Sequence, residues 1–461
     1  MEVKLPMQVG LNQDGSGRGG MVVMSGVRIA PSSTERAEYI AYPMGVGGVI
    51  PAPPRFRPRR QCTWCLAMVC ASVMLVSCAR AAPAERSIQD RVQGRDYPSV
   101  FQAWNPIDRA ERFPLATLED RLKAAAKHDL IWEEPISQLG YGVDLVLGAV
   151  WDHRHGGLAT DFTVESKRQA LDNRRRMLDL NPNMVFLLEV RWRDAPGSFL
   201  PENSPFWKRN PDGSRKQGWD GGPEPYYLMN PDNADFAANI ARQCKIAIES
   251  GVYDGVMFDW DGYLPIVKKT REILGQQPLI ICNIHDRLDL GQQYKGLING
   301  AFMELCQEGP GSPARKLGSW ESSRQALLYF EENFAKPTVN CLESWGERGD
   351  LRRMRAITTL ALTHSDGYVL YADPNPLKTP DHLHDWYPFW DAKLGKAAGQ
   401  CAKRDDGAYQ REFAGGTVIY NPLDNAKAVT VKFNTPRNRV SDGSRGAEFT
   451  VQNCDGDIFL K

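Results

Sequence analysis

The chain carries no net charge: Lys+Arg and Asp+Glu both number 56 in 461 residues. That balance gives no support for a nucleic-acid partner or a polybasic membrane surface. Histidine is scarce, with seven residues in all. No Cys-x-x-Cys zinc pattern occurs beyond residue 82. Gly-x-Ser-x-Gly is absent as well, which removes the nucleophile elbow of the serine hydrolases. No Gly-rich phosphate loop follows the first strand, so a doubly wound nucleotide-binding sheet has nothing to favour it. The one marked apolar run, Cys62 to Val76, is short for a membrane span.

That run has another use. It follows Arg59-Arg60 and precedes small residues, the pattern of a secretory signal. Residues 59–82 are therefore expected to direct export. Leu75-Val-Ser-Cys78 resembles a bacterial lipobox, which would leave a lipidated Cys78 as the membrane attachment; cleavage after Ala79-Arg80-Ala81 is the alternative. Residues 1–58 are rich in Gly, Pro and Arg without periodicity and are expected to be a disordered extension, with translation starting downstream. Four of the ten cysteines fall at 62–78; Cys282, Cys306 and Cys341 read as buried strand residues, and Cys401 and Cys454 leave a disulfide possible.

From about residue 97 the chain alternates apolar strands with amphipathic helices. Helical spacing appears in Leu115 to Lys127, Lys167 to Leu180, Phe236 to Ile248 and Ser319 to Phe334. Strands are read at Ser99–Trp104, Met184–Trp192, Val252–Asp259, Pro278–His285, Ala301–Cys306, Thr338–Ser344 and Gly367–Asp373, with Asp129–Glu133 and Val143–Trp151 competing for the second place. Such strands belong to a parallel sheet covered on both faces. About eight units in residues 95–394 fit an α/β class fold, a (β/α)8 TIM barrel. After residue 400 the pattern becomes short strands and turns, expected to form a small antiparallel β-sandwich domain over 400–461.

The most informative stretch is Tyr253-Asp-Gly-Val-Met-Phe-Asp-Trp-Asp-Gly-Tyr263. Strand alternation puts Met257, Asp259 and Asp261 on one face and Val256, Phe258 and Trp260 on the other. Acids at the C-terminal end of a barrel strand are placed where barrel enzymes keep their chemistry. Glu189, Glu304 and Glu343 end other predicted strands. Glycosidic bond cleavage needs two carboxyl groups, one protonated and one ionised. Asp259 and Glu304, one stave apart, are the expected catalytic pair, with Asp261 beside them. Glu189, Trp104, Trp192, Asn283, His285, Glu343, Trp345 and Asp373 are expected to contact substrate, because flat indoles suit sugar faces and short polar groups suit hydroxyls. The loop tryptophans Trp207, Trp219, Trp386 and Trp390 are further platforms, while Trp260 reads as core. His153-x-His155 and His382-x-His384 lie in loops without a third ligand, so no metal and no cofactor are expected.

These residues carry a resemblance. Asp254-Gly-Val-Met-Phe-Asp259-Trp-Asp261 is similar to the fourth-strand motif of barrel glycoside hydrolases. With Tyr226-Tyr-Leu-Met-Asn-Pro231 and Tyr409-Gln-Arg-Glu-Phe413-x-x-Gly-Thr-Val-Ile-Tyr-Asn421-Pro422, the chain resembles the families called hypothetical glycosyl hydrolases over residues 97–435. The resemblance implies a barrel, a small β domain, a glycan substrate and Asp259 in the catalytic position. The chitinase motif is a poorer match, since Met257 and Asp261 replace two of its acids. The expectation is an exported hydrolase of a polysaccharide or oligosaccharide. A non-catalytic glycan-binding surface lipoprotein is the alternative, and a metal-dependent deacetylase-like hydrolase a third reading.

Overall fold

The computed structural model describes residues 85–104, 117–134, 147–220, 224–260, 263–305, 318–374 and 382–461. The expected extension, signal and lipobox, together with Asp261 and Cys306, lie outside them.

Helix α1 (Ile88–Gly94) leads into strand β1 (Phe101–Ala103). Next come α2 (Leu118–Ala125), β2 (Leu130–Glu133), α3 (Val164–Leu180) and β3 (Val185–Glu189). A two-stranded excursion, β4 (Asp194–Pro196) with β5 (Tyr226–Leu228), precedes α4 (Ala234–Glu249) and β6 (Gly255–Phe258). The alternation continues through α5 (Leu264–Leu274), β7 (Leu279–Asn283), α6 (Leu288–Gln293), β8 (Gly300–Leu305), α7 (Gly318–Asn333), β9 (Cys341–Trp345), α8 (Leu351–His364) and β10 (Tyr368–Ala372).

Strands β1, β2, β3, β6, β7, β8, β9 and β10 form one parallel sheet in that order. A parallel bridge between Val100 and Val369 joins its two ends and closes the barrel. Leu130–Glu133 is thus the second stave, and Trp151 makes only an isolated bridge to Phe162.

The helices start where local chemistry predicts. Thr117 and Asp120 form a capping box on α2, and Asp350 caps α8 through the Arg353 amide. At the bottom of the barrel Asp254 sits just before β6. It accepts hydrogen bonds from Arg91, Arg174 and the Phe186 amide, so α1, α3 and β3 converge on one buried carboxylate. Those two guanidiniums hold its pKa below the usual range despite burial.

The C-terminal strands are β11 (Ala402–Lys403), β12 (Tyr409–Phe413), β13 (Gly416–Asn421), β14 (Val429–Arg439), β15 (Arg445–Val451) and β16 (Asp455–Leu460). They make one six-stranded antiparallel sheet rather than two separate ones. The register shift between Lys432 and Arg437 lets β14 pair with β15 along its length and with β16 only at Asn438 and Arg439. The bent sheet encloses its own small core of Ile419, Val429, Val431, Phe449, Val451 and Phe459. Its other face meets α8. There Arg355 forks onto Asp455 at 3.0 and 2.8 Å, and a Cβ on Gly456 would fall 1.8 Å from Thr359 Oγ1. Arg411, from the Arg-Glu-Phe run, donates to the Leu362 and Ser365 carbonyls and to Asp366. The five described cysteines are all free, so the Cys401–Cys454 pairing is not formed.

Candidate active site

The floor of the barrel mouth is aromatic. Phe101 stacks on Trp132, and Phe302 and Trp104 close against that pair edge-on. Inward positions near the C-terminal ends of the staves are acidic. Glu304 and Glu343 are directly paired in the β8–β9 ladder, which sends both carboxylates to the same side.

Asp259 follows β6 immediately, Asn283 ends β7 and Glu304 lies on β8. The Asn283 amide joins the acids: Nδ2 donates to Asp259 Oδ1 at 2.8 Å and to Glu304 Oε2 at 2.7 Å. Two bonds to one nitrogen cap the separation of those oxygens at about 5.5 Å. Retaining glycosidase pairs sit about 5–5.5 Å apart and inverting pairs about 6.5–9.5 Å.

The backbone around the pair is pinned from both sides. Trp192 Nε1 donates to the Asp259 carbonyl at 2.6 Å, and its ring stacks on Tyr263 at 5.7 Å. His285 Nδ1 contacts the Glu304 carbonyl at 2.7 Å. Trp104, Trp260, His285 and His382 all have positive φ, at 45, 58, 52 and 62°. Such strain in non-glycine residues persists only where the surroundings enforce it, and it collects at functional sites.

Burial pushes the Asp259 carboxyl up, with Asn283 and then Arg191 pulling the other way. Glu189, 2% exposed, is pushed well above the carboxylate range by burial, with Arg191 opposing. Trp104 Nε1 donates to Glu189 Oε2. Arg191 is the cation of this quarter. It grips Glu134 at 2.8 and 2.9 Å and stands 3.3 Å from Glu189. Neither Arg191 nor Glu134 stood out in the sequence, although the run Glu189-Val-Arg191-Trp-Arg193-Asp194 is charged enough to have drawn notice.

On the far side of Glu304, Glu343 is fully buried and His382 Nδ1 lies 2.8 Å from its Oε1. The His382 ring is wedged between Trp104 and Trp345. One ligand atom from each of Glu304, Glu343 and His382 lies within 4.8 Å of the others, a grouping able to hold a cation. The spacing of the His-x-His pair indicated no third ligand; the fold brings two carboxylates to His382. His384 turns elsewhere, to His128 at 2.9 Å between Nε2 atoms.

Other expected contacts are redistributed. Asp373 is held by Arg348 in a fork that also takes Asp385. Trp345, 4% exposed, is packed inside. Trp207 and Trp390 are buried, with their indole nitrogens on Pro201 O and Thr358 Oγ1, so neither is a platform. Trp219 and Trp386 are half-buried. Trp260, expected in the core, is 40% exposed with Arg193 3.7 Å from its ring centroid. The strand ends at Phe258, so alternation does not extend to it.

No family model and no curated protein matches the sequence. Among solved structures, the chain is similar to a maltogenic alpha-amylase of Thermotoga neapolitana at 11% identity and TM-score 0.48, over 78% of this chain and 98% of that one. It is similar to an alpha-amylase of Malbranchea cinnamomea at 13% identity and TM-score 0.47, over 81% and 97%. A debranching enzyme of Nostoc punctiforme gives 13% identity and TM-score 0.43, over 79% and 98%. At such identities and scores, residue roles are read from this chain alone.

Proposed function

We propose that the chain is a glycoside hydrolase acting on a poly- or oligosaccharide by a retaining double displacement. The observation that carries this is the Asn283 amide shared between Asp259 and Glu304 at the barrel mouth. In the first step an Asp259 oxygen attacks the anomeric carbon. The glycosidic C–O bond breaks as Glu304 protonates the leaving oxygen. The product is a glycosyl ester on Asp259. In the second step water loses a proton to Glu304 and attacks the same carbon, and Asp259 leaves as a carboxylate.

The electrostatics of the pair support a mechanism in which two carboxyl groups hold one proton. Two carboxyl groups this close cannot both ionise freely, so one proton is retained between them. Asn283 fixes their spacing before substrate arrives, and such preorganisation is a large part of catalysis. Trp104, half-buried beside Glu189, and the exposed Trp260 offer aromatic surface to a sugar. Asp261 remains a proposed helper of the pair. The Arg59-Arg60 and apolar segment supports export, with lipid attachment at Cys78 as its finer form; labelled fatty acid incorporation lost in Cys78→Ala would test that.

The test of the reaction is release of reducing ends from a polysaccharide panel, with Asp259→Asn alongside. Loss of release in the variant supports the hydrolase. Tight glycan binding without release by either protein supports the non-catalytic glycan-binding alternative.

A further inference from the structure

We infer that Glu304, Glu343 and His382 form a binding site for a divalent transition-metal cation, and that the cation inhibits by competing with the Glu304 proton. The second half rests on the glycosidase reading above; the first half does not. One imidazole and two carboxylates suit Zn²⁺ or Mn²⁺, and three protein ligands leave a position open.

Proximity alone would not make this a site. The further observation is on Glu343. Its side chain is fully buried, one oxygen faces His382, and the other, Oε2, has no hydrogen-bond partner among the described residues. A buried carboxylate oxygen left unpaired is costly. Strand alternation and the register with Glu304 direct that carboxylate inward, toward the same space as Glu304. A cation there would supply the missing partner. His382 is 2% exposed and wedged among Trp104, Phe302 and Trp345, so its ring is already positioned.

The functional consequence follows from Glu304 having two claimants. It cannot protonate a leaving oxygen while its lone pair is on a metal. Binding should therefore slow hydrolysis, and a chelator should restore it.

The experiment is equilibrium dialysis of the metal-free protein against Zn²⁺, and separately Mn²⁺, without substrate. One equivalent is expected to bind. Glu343→Gln and His382→Gln should each weaken binding roughly tenfold or more, while circular dichroism shows the fold retained. The exposed His153 and His155 are the competing adventitious site, and replacing both with Ala should leave the tight equivalent in place. No stoichiometric binding, or binding that survives Glu343→Gln and His382→Gln, overturns the site. Stimulation of turnover by the ion overturns the competition. Hydrolysis in chelator without any metal binding removes this inference and spares the glycosidase reading; metal binding without hydrolysis does the reverse.

Discussion

Glu304 and Glu343 stand at paired positions on neighbouring parallel strands, yet their surroundings differ: Glu304 is half-buried beside Asn283, and Glu343 is sealed against His382. In the proposed mechanism Glu304, joined to Asp259 through Asn283, takes the part of the acid.

Asn283 holds the pair together, so its removal should be severe. Asn283→Ala is expected to lower kcat by roughly 10²–10³, the usual cost of one preorganised donor. Because the Asn283 bond pulls the Asp259 pKa down, its loss should also move the acid limb of kcat/KM to higher pH. A limb that stays put, measured over pH 4 to 8, would contradict the shared-amide account.

Glu189 predicts a pH-dependent stability gain. Burial raises its folded pKa, so it favours folding below the ordinary carboxylate value and loses that contribution as pH rises through the folded value. Glu189→Gln should therefore raise Tm at pH 7 relative to wild type, with a smaller or reversed effect at pH 4. An equal change at both pH values in thermal melts would rule this out.

The His128–His384 contact has the opposite sign. Burial holds His384 at about 4 and His128 well below its ordinary value. Depressed histidines contribute stability above about pH 6.5 and lose it as pH falls toward the folded value. Wild-type Tm should drop between pH 7 and pH 5, and His128→Gln should flatten that drop. An undiminished acid sensitivity in the variant would refute the assignment.

Asp254 tests the barrel floor. Removing one partner of a buried charge cluster costs about 3–5 kcal/mol. Asp254→Ala leaves Arg91 and Arg174 without their shared carboxylate, and urea unfolding should show a loss of that size. A loss under about 1 kcal/mol would mean the network is not structural.

The barrel was legible because its signal is local. Continuous apolar strands such as Leu279–Asn283 and capped helices such as Leu351–His364 announce themselves by period and flanking residues. The meeting of Asp259, Asn283 and Glu304 was legible for the same reason, since all three lie toward the C-terminal ends of neighbouring parallel strands. What the sequence hid was contact between distant segments. His382 reaches Glu343 from a loop, and His384, two residues on, serves a different partner. The alternation rule also misplaced Trp260, because it was carried past the last strand residue. Trp192 was expected to contact substrate; its indole nitrogen donates to the Asp259 carbonyl.

The most direct measurement is reducing-end release by residues 83–461 on a polysaccharide panel, compared with Asp259→Asn under identical conditions in the presence of chelator. The account predicts release by the wild type, with retained anomeric configuration in the product, and a loss of about three orders of magnitude or more in the variant. Wild-type release left intact by Asp259→Asn, or a product of inverted configuration, would contradict it.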